Sequence, residues 1–279
     1  MYEVKEICKN GESLPLTTTD GALRIVFIGT GSAFAKRRRQ SNMFVIQGNH
    51  HILIDCGTQG PLALNDLGLS VLDVRCYLPT HSHADHIGGL ETVLKKITIR
   101  EIWDTHNDFE SSVYDRILAG VELNKSYIRF SDPGDIYQLG EMKLTILYPD
   151  SAIAMSMKNI NNSSIVFRLD YKDHSFLFTG DAEIQAERIL ANLDSLLNVD
   201  VLKVGHHGSS TSSIMSMVNH VSPKYAVISV GKNNRYGHPS EKIVQRWVDI
   251  GAEVFRSDES GAVIIAVDGE GMSINPMIP

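Results

Sequence analysis

No apolar run in this chain reaches the roughly 18 residues that a membrane-spanning helix needs. The first ten residues, Met1 to Asn10, carry charges throughout and have no apolar core, which argues against a secretory signal. Cysteine is scarce, at Cys8, Cys56 and Cys76 only. Three thiols cannot all pair, and Cys56 and Cys76 fall at or inside apolar segments, so buried free thiols are expected rather than a disulfide framework. Positive charge is also short: 26 Lys and Arg against 33 Asp and Glu leave a net charge of −7. That balance speaks against a broad basic surface for long duplex nucleic acid. Together these absences predict a cytoplasmic protein with no membrane association. No Pro/Ser-rich linker divides the chain, and no internal repeat is detectable. With 279 residues at 43% hydrophobic content, the reading is a single domain over 1–279, with 1–20 as an N-terminal extension.

Against this background one run stands out: His81-Ser82-His83-Ala84-Asp85-His86. It follows the apolar segment Val74 to Leu78, with Pro79 and Thr80 between. Two imidazoles at i and i+2 can grip one divalent ion from one side of a loop. The carboxylate and imidazole that follow can reach a second ion about 3.5–4 Å away. Without a cation, groups this dense would repel or sit unpaired. Asp85 also stands near the start of a helical pattern, Ile87 to Lys96, where an anion is favoured.

Three later segments repeat the layout of an apolar strand ending in ligand-type groups. Phe176 to Thr179 leads into Gly180-Asp181, a weak signal by itself. Val201 to Val204 leads into Gly205-His206-His207-Gly208-Ser209, which is more specific. Tyr236-Gly237-His238-Pro239 is a third such loop, before a helix over Ser240 to Ile250. Further strands are read at Leu23–Ile28, Met43–Gln47, His51–Asp55, Lys143–Tyr148, Ser164–Leu169, Tyr225–Val230, Ala252–Arg256 and Ala262–Val267. Helices are read at Pro61–Leu69, Phe109–Leu123, Ala182–Leu193 and Ile214–Val221. Strand pairs precede helices in each half. The implied fold class is α/β (α+β), a four-layer αββα sandwich of two mixed β-sheets. In such a sandwich the four ligand-bearing strand ends meet at one edge.

The order HxHxDH, strand-Gly-Asp, strand-Gly-His resembles the metallo-β-lactamase fold hydrolases, over roughly Leu23 to Val267. The second half, with Asn162-Ser163-Ser164, Thr179-Gly-Asp181, Gly205-His-His-Gly-Ser209 and Tyr236-Gly-His-Pro239, is most similar to the hydrolase domain of competence (DNA-internalisation) proteins. The first half, with Gly29-Thr-Gly-Ser32, Gln40-Ser-Asn42 and Ile52-Leu-Ile-Asp-Cys-Gly57, resembles ribonuclease Z-like phosphodiesterases. The resemblance implies that His81 and His83 bind a first ion, that Asp85 and His86 bind a second, and that Asp181 bridges them. It implies His206 as the last ligand of the second ion, with His207 as the alternative. The wider family places a further His between the HxHxDH run and the bridging Asp. Here that interval holds only His106, close behind the motif, and His174, at the far end of the strand that leads to Asp181. Asn162 falls near the expected place instead. Two divalent ions are therefore expected, zinc by default for an imidazole-rich set, with manganese as the alternative where oxygen ligands take a share.

The chemistry implied is hydrolysis of a phosphodiester, in a nucleotide or a single-stranded nucleic acid, by a hydroxide activated between two metals. In that scheme Asp85 orients the water, and His238 or His207 protonates the leaving group. Asn162, Ser209 and Ser210 donate hydrogen bonds to phosphate oxygens. Arg38, within the basic cluster Lys36-Arg37-Arg38-Arg39, clamps the remainder of the nucleotide. A second class of activity, hydrolysis of a carboxylic ester, thioester or lactone on the same metals, and a third, a di-iron redox or binding protein, use the same residues. The fold class allows a homodimer. Remaining polar residues read as structural: His50 and His51 as solvent-facing at a hairpin turn, Asp55 as a cap or a support for the ligands, and Trp103 and Trp247 as core.

Overall fold

The computed structural model describes residues 21–28, 42–66, 74, 76–99, 101–105 and 111–278. The expected N-terminal extension, the loop carrying Arg38, and His106 lie outside the described residues. The strands are β1 (Leu23–Phe27), β2 (Asn42–Gln47), β3 (His50–Cys56), β4 (Cys76–Leu78), β5 (Glu101–Asp104), β6 (Tyr127–Phe130), β7 (Ile136–Leu139), β8 (Met142–Tyr148), β9 (Val166–Tyr171), β10 (His174–Phe178), β11 (Val201–Lys203), β12 (Tyr225–Ile228), β13 (Glu253–Arg256), β14 (Val263–Val267) and β15 (Met272–Pro276). The helices are α1 (Gly60–Asp66), α2 (Ala84–Ile87), α3 (Leu90–Leu94), α4 (Ser112–Asn124), α5 (Ser151–Ser156), α6 (Ile184–Leu190), α7 (Met215–Val221), α8 (Glu241–Asp249) and α9 (Ser257–Ser260).

The strands form two mixed sheets, ordered β15-β14-β1-β2-β3-β4-β5-β6 and β13-β12-β11-β10-β9-β8-β7. The first sheet is antiparallel from β15 through β14, β1 and β2 to β3 and parallel over β3 to β6; the second is antiparallel over β7 to β10 and parallel over β10 to β13. Period-2 alternation explains the layers. In β2, Met43 and Val45 face the second sheet, while Phe44 and Ile46 face helices α1 to α4. Both faces are covered, so central strands such as β2 are buried throughout and read in sequence as continuous apolar runs. The inter-sheet core holds Phe27, Phe167, Phe176 and Phe178. A third cluster packs α6, α7 and α8 on the other side, around Leu190, Val218 and Trp247. The four-layer sandwich is therefore the observed architecture. No helix among the described residues is long and apolar enough to cross a membrane.

Three features differ from the expectation. The helix read over Ile87 to Lys96 is broken into α2 and α3 at Gly88-Gly89. The cause is close packing: Gly89 donates its N–H to the carbonyl of Cys56 at 2.7 Å, and a Cβ at Gly89 would lie 2.3 Å from the Gly57 carbonyl. Four strands, β5, β6, β7 and β15, add to those read from the sequence. β6, β7 and β15 are sheet edges with exposed positions, so the ladder rather than an apolar pattern holds them. His51 is also buried against Phe44 rather than solvent-facing, while His50 is exposed. Cys56 and Cys76 are free and buried as expected, as are Trp103 and Trp247.

Candidate metal centre

The carboxyl ends of β4, β10, β11 and β12 meet at one edge of the sandwich. Parallel strands that end together present loops and helix starts to the same space. After β4 the chain runs through Thr80 and His81 to His83, whose extended backbone (φ −67°, ψ 147°) starts α2 and places Asp85 in its first turn. His81 Nε2 lies 3.1 Å from His83 Nδ1. The His81 and His86 rings are 4.1 Å apart.

Asp55, at the end of β3, organises this loop from beneath. It accepts hydrogen bonds from Thr80 N at 2.7 Å and Thr80 Oγ1 at 2.9 Å, and it pairs with His86 Nδ1 at 2.8 Å. That contact places the Nδ1 proton of His86 against a carboxylate and turns Nε2 toward Asp181, 3.2 Å away. Burial opposes charge on His86, but Asp55, Asp181 and Asp85 outweigh it and hold its pKa well above the ordinary range. His81 is the reverse case: burial and the neighbouring His86 push its pKa well down.

Asp181 follows β10 through Gly180, whose φ of +52° and closeness to Thr80 and Ser164 leave no room for a side chain. Ser164 Oγ accepts from Asp181 N at 3.0 Å and also stands 3.4 Å from His81 Nδ1. Although burial disfavours its charge, His207 and His86 keep the Asp181 carboxyl well below the usual range.

The turn Gly205–Gly208 after β11 separates the two neighbouring histidines. His206 and His207 both take left-handed backbone, at φ 45° and 54°, and their side chains part. His207 Nδ1 bonds the Ser229 carbonyl at 2.7 Å, and its Nε2 lies 3.3 Å from Asp181 Oδ2 and 3.9 Å from Asp85 Oδ2. His206, expected at the second ion, instead pairs through Nδ1 with Glu183 Oε1 at 3.0 Å. Glu183 also accepts from Asn161 Nδ2 at 2.7 Å. The geometry thus brings together His81, His86 and Asp181, and also Asp85, His86 and His207, with donor atoms in each group within 4.8 Å of one another. His83 flanks His81, and His206 sits one ring outward.

The remaining expected site residues lie further out or do other work. Asn162 is turned away: its Oδ1 accepts from Glu183 N and Ala186 N at 3.1 Å each and so holds the first turn of α6. Ser209 folds back on its own loop, 3.0 Å from Thr211 Oγ1, and Ser210 is exposed. His238 is half-buried at the rim, its ring 5.6 Å from that of His206. Burial, then His206 and His207, lower its pKa to about 4. Sequence reasoning missed Lys203, Glu183 and Asn161, and it left Asp55 open between two roles. A carboxylate closing the buried segment Ile52-Leu53-Ile54 was the one available signal for Asp55.

Do these residues fit a metal? His86 Nε2 and His207 Nε2 are buried and have no hydrogen-bond partner, while Asp181 Oδ1 faces Lys203 Nζ at 3.6 Å and leaves Oδ2 toward the imidazoles. The imidazoles approach Asp181 without hydrogen-bond alignment. Unsatisfied, mutually close N and O donors of this kind suit a divalent cation, and the supports at their far nitrogens are those of metal-binding histidines.

A family model described as Anti-Pycsar protein Apyc1 matches residues 23–203. ComE operon protein 3 of Bacillus subtilis (strain 168) is 32% identical over 196 residues, covering 70% of this chain and 25% of that protein. The chain thus spans about a quarter of the length of this curated relative. Among solved structures, the metallo-β-lactamase fold protein YhfI from Bacillus subtilis superimposes with a TM-score of 0.60 at 13% identity, over 85% of this chain and 96% of that one. Human tRNase Z, short form, does so with a TM-score of 0.53 at 16% identity, over 86% and 98%. The two sheets, their order and these superpositions establish the metallo-β-lactamase fold, and with its model matched from β1 to β11 the chain belongs to the Anti-Pycsar protein Apyc1 family.

Proposed function

We propose that this chain is a metal-dependent hydrolase of phosphodiesters, acting on a nucleotide or a single-stranded nucleic acid. The observation that carries the reading is the convergence of Asp85 and Asp181 with the unpartnered Nε2 atoms of His86 and His207. His81, His83 and Asp181 would hold a first divalent ion, and Asp85, His86, His207 and Asp181 a second. Zinc suits the imidazoles, with manganese as the alternative. Two such ions would supply Lewis acidity and would lower the pKa of bound water.

The chain's own residues do the rest. Asp55 and the Ser229 carbonyl fix the rings of His86 and His207, so that Nε2 of each points inward, where an ion would take the place of a proton. Asp85 orients the attacking water. His207 is thereby a ligand rather than a proton donor. His238, neutral near pH 7 because of its low pKa, accepts a proton or a hydrogen bond at the rim. Contacts of Ser209, Ser210 and Arg38 with substrate phosphate remain part of the proposal.

The test is hydrolysis of bis(p-nitrophenyl) phosphate by protein loaded with zinc or with manganese, beside Asp85→Ala. Turnover lost in the variant is the expected result. Two bound ions with no turnover on any phosphodiester would overturn the reading in favour of a carboxylic ester, thioester or lactone.

A further inference from the structure

We propose that Lys203 sets the preference of this centre for anionic substrates, by holding one oxygen of Asp181 from inside the sheet interface. The inference rests on the metal phosphodiesterase reading above. Lys203 ends β11 and is 1% exposed. It shares a face with Val201 and lies opposite Phe178 in the parallel pair, and both of those residues belong to the inter-sheet core. An apolar side chain is the ordinary occupant of such a position, because an ammonium taken out of water is costly unless it is paired.

The pairing is specific. Lys203 Nζ donates to the Gly180 carbonyl at 2.6 Å and stands 3.6 Å from Asp181 Oδ1. The other oxygen, Oδ2, faces His86 Nε2 at 3.2 Å and His207 Nε2 at 3.3 Å. One carboxylate is thus divided: Oδ1 toward a fixed cation, Oδ2 toward the imidazole edges. Asp181 is left with one oxygen for metal, and Lys203 offsets one of the two carboxylate charges in the proposed ligand set. The floor of the loaded site then carries one more positive charge than its ligands alone would leave. A phosphodiester monoanion gains from that charge, and a neutral ester does not. One unit charge beside the site, at an effective dielectric near 20 and with screening, changes the affinity of a monoanion by roughly tenfold.

The experiment compares wild type with Lys203→Gln, which keeps a donor for the Gly180 carbonyl and removes the charge, and with Lys203→Met. Each is loaded with metal, and its metal content is measured by mass spectrometry. Binding of inorganic phosphate is then measured by calorimetry, and kcat/KM on bis(p-nitrophenyl) phosphate and on p-nitrophenyl acetate. The expected result is full metal content, phosphate bound about tenfold more weakly, and a phosphodiester-to-ester ratio lowered by a similar factor. Equal losses on both substrates, unchanged phosphate binding, or loss of metal would overturn the proposal and make Lys203 a structural residue. Failure of both variants to fold would do the same. A wild type inert toward bis(p-nitrophenyl) phosphate sinks the phosphodiesterase reading. An active wild type with an unmoved ratio sinks only the role of Lys203.

Discussion

The loop from Thr80 to His86 and the turn from Gly205 to Gly208 deliver imidazoles to the same two carboxylates by opposite means. The first uses ordinary backbone, an extended run into a helix start, so the spacing of its side chains follows from the sequence. The second bends through two consecutive left-handed residues, and neighbouring histidines end up with different partners. His207 finds the Ser229 carbonyl and turns inward, whereas His206 finds Glu183 and stays outside. Spacing identifies candidate ligands where the backbone is regular. Where it is not, the hydrogen bond at the far nitrogen decides.

The most forceful way to break that comparison is to exchange the two histidines' importance. His207→Ala is expected to lower kcat by about a thousandfold or more and to lose one of two ions, while His206→Ala stays within about tenfold and keeps both. Metal content by mass spectrometry beside turnover checks this, and the reverse ranking would restore His206 as the ligand. Next in size, Asp55→Asn removes the support under the first region only. Metal affinity is expected to fall by about 10- to 100-fold in a chelator competition, with His207 still in place.

Two smaller effects concern the second region. Burial raises the pKa of Glu187 to about 7, against two backbone N–H bonds from Ile214 and Ser213 that favour its charge. It pins the segment following the His206-His207 turn to α6. Its folded pKa lies above the unfolded value, so its contribution is complete below about 4.5 and declines as pH rises through 7. The stability gap between wild type and Glu187→Gln, measured by denaturant titration, should be narrower at pH 8 than at pH 5. His238 has the opposite sign. Its folded pKa of about 4 lies below the unfolded value, so stability is lost as pH falls from about 6.5 toward 4. His238→Asn should flatten the fall of Tm across that window, and an unchanged slope would show that His238 feels no such environment.

Much of the fold was legible because β1, β2, β3, β8, β9 and β10 are covered on both faces or nearly so, and their apolar runs announce them. The edges β6, β7 and β15 were not, since cross-strand hydrogen bonds leave no mark in composition. In the site, His81, His83, Asp85, His86 and Asp181 were nominated by motif and strand ends. Lys203 was hidden because Val-Leu-Lys-Val reads as an apolar strand, and the register against Phe178 shows that the ammonium points toward the inter-sheet core. Neither asparagine's partner was legible: the Asn162 amide oxygen accepts from the start of α6, while Asn161 reaches Glu183.

The donors come from loops on both sheets, His81 to His86 after a strand of one and Asp181 and His207 after strands of the other. A site divided this way does not exist until the two sheets have docked across their shared phenylalanine core. Ion binding at the proposed centre would act by mass action on the docked state alone and would slow any opening of one sheet from the other. In kinetic terms such ions would work as a latch across the most non-local contacts of the chain. The rate at which a chelator strips them would report how often the sandwich breathes.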